Sequence, residues 1–242
     1  MSICHIIGNG PSCDLFGGWD GDIYGCNTPH LDLPYKAVGM MDAFVPLYLD
    51  QTGEKLDAEI WTPEELHNHL KKHEIDLETK PCIEFAPSVG LAMATRLTSY
   101  YEEIHLWGFD SFHSRINESM TDDVHATPIR NKWLHHYWID WFENRIAPFG
   151  NFIVHMPSDV DMHYPMRGVE YVRTDPPAQT PQTRSWTPYK PINTLPLDYC
   201  YRFHFTTPEG KLVECWYGDV ITIEYIKEEL KQGAADGGQE KV

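Results

Sequence analysis

The chain has 242 residues, 42% hydrophobic and 23% charged, the balance of a globular protein long enough for one well-buried core. Its formal net charge of −17 repels nucleic-acid backbones, and the densest basic cluster, Arg130–Asn131–Lys132, is too small to offset that, so no nucleic-acid polymer is expected as a partner. No apolar run approaches ~18 residues and no basic-then-apolar leader opens the chain, so no membrane span is expected and the cytoplasm is the expected compartment.

Ile3–Ile7 reads as a buried strand running into the loop Gly8-Asn9-Gly10-Pro11-Ser12. Asp22–Cys26 and Ala37–Met41 read as the second and third strands. Thr62-Pro63-Glu64-Glu65 has the form of a helix start, with threonine as cap, proline in the first turn and glutamate three residues after the cap. That helix is predicted to reach about His73. Pro81–Phe85 is a fourth predicted strand, and Ser88 caps a predicted helix from Val89 to about Tyr100. Ile104–Trp107 is a fifth strand ending at Gly108. Asp110 to Thr127 is polar and without period. Pro128 to about Arg145 reads as an amphipathic helix carrying Trp133, Tyr137, Trp138 and Trp141, and Phe152–His155 as a further strand.

Strands alternating with helices predict an α/β fold: a mainly parallel, Rossmann-like sheet with helices on both faces, over residues 1–157. Prolines then crowd between Pro157 and Pro196, and residues 158–197 read as a proline-rich arm or linker. Residues 198–231 read as a hairpin, Tyr199–Phe205 and Leu212–Tyr217 around Thr207-Pro208-Glu209-Gly210, followed by a helix from Val220 to Lys231. Residues 232–242 read as a mobile tail. The arm and hairpin are expected to pack on a second copy or an assembly partner, or else to fold back on their own domain. The six cysteines contain no C-x-x-C pair and read as free thiols, several of them packing as small hydrophobes.

A glycine loop after the first strand lets backbone N–H groups approach phosphate or sugar oxygens. Gly8 and Gly10 fit the start of G-x-G-x-x-G, but Cys13 replaces the third glycine, and Asn27 stands where a ribose-binding acid is wanted, so a dinucleotide site is not indicated. No P-loop is present. Polar residues close the predicted strands in order: Asn9, Asn27, Asp42, Ser88 and Asp110. Open α/β sheets bind ligands along that edge, and asparagine amides suit a nucleobase or ribose. Taken singly, Asn9 and Asn27 also fit turns, and Ser88 fits a helix cap.

The blocks "IIGNGPS", "DIYGCNTP", "SVGLAMATRLTSYYEEIHLWGFDSF" and "FIVHMP" resemble successive blocks of bacterial lipooligosaccharide sialyltransferases, over about residues 3–157. They also resemble uncharacterised phage and bacterial proteins, some labelled pterin-pyrophosphokinase-like. The sialyltransferase resemblance implies a glycosyltransferase-A-variant or sialyltransferase-like fold, transfer of sialic acid from a CMP-linked donor, and no obligatory metal or other cofactor. It implies that Asn9, Gly10 and Ser12 belong to the donor loop, that Asn27 holds ribose or phosphate, and that Ser88 touches the donor; Gly8, read from the glycine pattern, joins them as a nucleotide-binding candidate. Gly108 and Asp110 belong to the matching glycine-x-aspartate block. Asp42 replaces an asparagine of the pattern. Phe112 and Glu118 stand where two tyrosines would steady the leaving phosphate. Arg115 is the candidate substitute for them, and His125 the candidate general base, with His113 as runner-up; His135 and His136 lie within the aromatic helix and read as packing or solvent-facing.

Three functions follow as expectations. The first is a glycosyltransferase-like enzyme that takes a nucleotide-linked sugar to an unknown acceptor. The second is a non-catalytic virion or assembly component reusing the fold, which would be virion-associated if phage-encoded. The third is metal-dependent pyrophosphoryl or nucleotidyl transfer, although no metal site can be assembled from the sequence.

Overall fold

The structure is a computed structural model that describes residues 2–114, 119–121, 134–163 and 165–187, together with the strand backbones at 201–206 and 212–217. Eight strands form one sheet: β1 (Ile3–Ile7), β2 (Asp22–Cys26), β3 (Ala37–Gly39), β4 (Glu59–Thr62), β5 (Lys80–Pro81), β6 (Glu103–Trp107), β7 (Phe152–Pro157) and β8 (Val169–Thr174). Their order is β5-β4-β3-β2-β1-β6-β7-β8, and every neighbouring pair is parallel. The chain steps outward from β1 to β5, then returns to place β6 on the other side of β1. This reversal between β1 and β6 is the switch point of a Rossmann-like sheet.

Among the described residues, four helices join the strands: α1 (Phe44–Thr52), α2 (Glu64–Lys72), α3 (Val89–Leu97) and α4 (Leu134–Arg145). Alternate residues of each strand divide between two cores. Cys4 and Ile6 of β1, Ile104 and Leu106 of β6, and Phe152 and Val154 of β7 pack with α3 and α4. Ile7, Val38 and Trp107 pack on the other face with α1 and with a 3-10 turn at Pro11–Leu15. Leu91, Met93 and Leu97 of α3 are buried, each contributing about 1.5–3 kcal/mol of transfer free energy.

Several elements depart from the sequence reading. Helix α1 lacks a predicted counterpart because Pro46 reads as a breaker. It lies in the first turn, where a missing N–H is tolerated, and Gly53 ends the helix at φ +70°. Thr62 does not cap α2. It ends β4, and Pro63 occupies the cap position without a side-chain bond. The strand predicted at Pro81–Phe85 is only Lys80–Pro81.

The largest difference lies past Pro157. Within the predicted arm, Val169–Thr174 pairs with β7 along its whole length, so the sheet continues beyond residue 157. The segment then returns to its own domain through an antiparallel bridge between Leu31 and Thr183. Residues 165–187 therefore pack back on their own chain. The predicted hairpin is present as β9 (Tyr201–Thr206) paired antiparallel with β10 (Leu212–Tyr217). The predicted helix from Val220 and the tail after it lie outside the described residues.

Candidate functional site

The carboxyl ends of β1 and β6 meet directly. Gly8 N–H donates to the Trp107 carbonyl at 2.7 Å, and Gly10 N–H to the Gly108 carbonyl at 3.1 Å. Gly108 has φ +71°, and a Cβ there would stand 2.6 Å from the Gly8 oxygen. A Cβ on Gly8 would stand 2.7 Å from the Gly108 oxygen, and one on Gly10 2.6 Å from the same atom. Close approach of two backbones thus accounts for these glycines.

The turn that follows is already capped by an anion. Asp110 Oδ2 accepts from Ser12 N–H at 3.0 Å and from Ser12 Oγ at 2.8 Å, with both residues buried. A carboxylate here takes the position a phosphate would take at the start of such a turn. His113 lies beside it, with Nε2 3.8 Å from Asp110 Oδ1. Its ring is 1% exposed, and neither nitrogen has a hydrogen-bond partner. Burial lowers its pKa while the Asp110 charge works the other way. A neutral imidazole has one donor and one acceptor, and leaving either buried and unpaired costs about 1–3 kcal/mol.

Asn9 is committed within the protein. Its Nδ2 donates to the carbonyls of Cys26 and Thr28 at 3.1 and 2.9 Å and lies 3.2 Å from Thr121 Oγ1, and its Oδ1 accepts from His30 N–H at 3.1 Å. It ties the end of β1 to the loop after β2. Asn27 differs: its backbone sits at φ +53°, and its Oδ1 is buried without a partner. Ser88 caps α3, its Oγ accepting from Leu91 N–H at 3.4 Å. A Cβ on Gly90 would stand 2.8 Å from the Phe109 ring and 3.9 Å from Cys26 Sγ. The first turn of α3 therefore lies against the ends of β2 and β6, placing Ser88 on the same edge as Asn9, Asn27 and Asp110. Asp42 leads into α1, its carbonyl accepting from Val45 N–H.

Phe112 is 1% exposed and packs against Phe109 and Phe142, so it fills core rather than facing a ligand. Arg115, Glu118 and His125 lie outside the described residues.

One polar layer has no counterpart in the sequence reading. His5 on β1, His105 on β6 and His155 on β7 lie side by side beneath the exposed Trp19. His105 Nδ1 and His155 Nε2 are 2.8 Å apart. His105 Nε2 lies 2.8 Å from Glu103 Oε1, and His155 Nδ1 lies 2.9 Å from Thr174 Oγ1. Trp107 donates to His5 Nδ1 at 3.2 Å and stacks on His155 at 3.5 Å. The usable signal was a histidine inside each of three apolar strands, "CHII", "IHLW" and "VHMP". Among the described residues, no group of three or more metal-ligating side chains is placed to hold an ion, and no helix is long and apolar enough to cross a membrane.

Compared with models of known protein families, with curated proteins and with solved structures, the chain matches none.

Proposed function

We propose that the crevice between the ends of β1, β2 and β6 binds a nucleotide-linked sugar, and that the protein is glycosyltransferase-like in the sialyltransferase-like manner its sequence blocks suggest. The observation that carries this reading is the pair of unpartnered buried groups following strands at that edge, Asn27 Oδ1 and the His113 imidazole. Burying such groups is unfavourable unless something satisfies them, and a base or sugar hydroxyl supplies the missing partners. The glycines of the loop serve the close approach of β1 to β6, and Asp110 already satisfies Ser12 N–H, so the donor's phosphate is held by other groups. A CMP-sugar is the donor that the sequence resemblance favours.

The closed loop also favours a second reading, a non-catalytic component that keeps the fold and has lost the anion site. Thermal shift of the full chain with CMP, CDP, UDP, GDP and ATP, with and without magnesium, separates the two. A ligand that binds only the folded state raises the midpoint. CMP is expected to raise it, and Asn27→Gly, which keeps the positive φ while removing the amide, is expected to abolish most of that rise. A magnesium-dependent shift with ATP alone would favour pyrophosphoryl or nucleotidyl transfer. No shift with any of the five would favour the second reading.

A further inference from the structure

A cavity of about 480 Å³ opens at the far end of α3 from Ser88. Its volume is within the range of small-molecule sites, about 300–1,000 Å³. Arg96 from the last turn of α3 and Arg145 from the last turn of α4 both line it, together with Glu84, Ile146 and Phe149.

Both guanidinium groups are held by rings of their own segments. Arg96 lies 4.8 Å over Tyr100, and Arg145 lies 4.5 Å over Trp141. Neither is ion-paired to a carboxylate among the described residues. In a chain with 36 acids and 19 basic residues, this cavity brings two arginines, the half-buried Arg96 and the exposed Arg145, to one wall. Arg96 Nε is also buried without a hydrogen-bond partner. An arginine in a last helical turn offsets the carbonyl charge there. That accounts for the residue type, but not for an unpaired buried donor beside an open cavity. The remaining wall is mixed: Thr95, Thr98 and Ser99 bring hydroxyls, and Ile146 and Phe149 form an apolar side, where Ile146 is buried and Phe149, at 72% exposed, is the most exposed of the large hydrophobic side chains described.

We propose that this cavity is a second ligand site, taking a small molecule that carries one carboxylate or phosphate group on an apolar or aromatic body. The two guanidinium groups hold the oxyanion, for which their planar donor forks are suited. Phe149 and Ile146 take the body. Glu84 limits the negative charge the site accepts and offers an acceptor to a ligand N–H or O–H. The site is separate from the crevice at the carboxyl edge, and its occupancy does not depend on what that crevice binds.

Calorimetry on the full chain with phenyl phosphate, benzoate and inorganic phosphate tests this. One of the two organic probes is expected to bind saturably with Kd at or below about 1 mM, and which one binds identifies the oxyanion. Arg96→Gln is expected to weaken that binding about tenfold or more, as loss of a charge-assisted hydrogen bond should. Cys82 also lines the cavity and provides a readout that needs no variant. The bound probe is expected to slow its alkylation by iodoacetamide, measured on the Cys82 peptide by mass spectrometry at alkaline pH, because burial raises this thiol's pKa. No saturable binding of either organic probe would overturn the proposal, as would binding that leaves Cys82 unprotected. A folded Arg96→Gln chain with unchanged affinity would overturn it too. Inorganic phosphate binding as tightly as phenyl phosphate would remove the apolar part of the site.

Discussion

Asn9 stands between two glycines, and from the sequence it looks free for a ligand. The structure gives its amide four partners on two other segments of the chain, residues 26–30 and Thr121. Truncating it leaves the Cys26 and Thr28 carbonyls and the His30 N–H short of a partner, and each such loss costs about 1–3 kcal/mol where water cannot replace it. Asn9→Ala is therefore expected to lower the urea midpoint by an amount equivalent to about 2 kcal/mol, with an unchanged slope. An unaltered midpoint combined with lost ligand binding would return Asn9 to the role its loop position suggested. Asn27 carries the same residue type at the next strand end and has the opposite fate. Single positions show which residue ends a strand, but not which neighbour consumes its hydrogen bonds. That depends on where the loops after β2 and β6 come to rest.

At the scale of elements, the histidine layer across β1, β6 and β7 sets an acid limit on stability. Burial lowers the pKa of His5, and it lowers that of His155 to about 3, with charge on His105 adding to the effect. Both folded values lie below the unfolded value of about 6.5. Between those values the unfolded chain binds more protons than the folded one, so stability rises with pH through the window. This contribution is complete above about pH 6.5 and is lost as pH falls toward the folded values. Urea midpoints measured from pH 8 down to pH 4 are expected to fall below about pH 6.5, and His155→Gln is expected to fall less steeply over the same range. Parallel declines in the two proteins would show that other groups set the limit. The strands that carry this layer were legible because five- and six-residue apolar runs between turn signals suit a sheet covered on both faces. Helix α1 was hidden by Pro46, and β8 by its neighbours: "VEYVRT" is half-exposed edge sequence set among prolines, so composition outweighed pattern there.

For the whole molecule, the question is whether the part after Pro157 is an appendage. Its proline content suggested one, yet the described contacts of residues 165–187 make it part of the domain. Strand β8 pairs with β7 from Phe152↔Val169 to Pro157↔Thr174 and brings the Thr174 hydroxyl to His155. The chain then crosses to the far half of the sheet. There Asp32 N–H donates to the Gln182 carbonyl at 2.8 Å, Arg184 N–H to the His30 carbonyl at 2.8 Å, and Trp186 Nε1 to the Pro29 carbonyl at 2.9 Å. Tyr48 of α1 donates to the Thr187 carbonyl at 2.9 Å. Ending the chain after Pro157 removes a strand and this strap together. It leaves the apolar β7 as an unpaired edge, which invites association with other chains. Such a truncated chain is expected to lose its cooperative urea transition or to aggregate, whereas a chain ended after Thr187 keeps these contacts and is expected to unfold cooperatively. Light scattering and circular dichroism on the two truncations decide the matter. A monomeric 1–157 chain with the full-length midpoint would show that the strand and strap are dispensable, and that the domain ends where the composition changes.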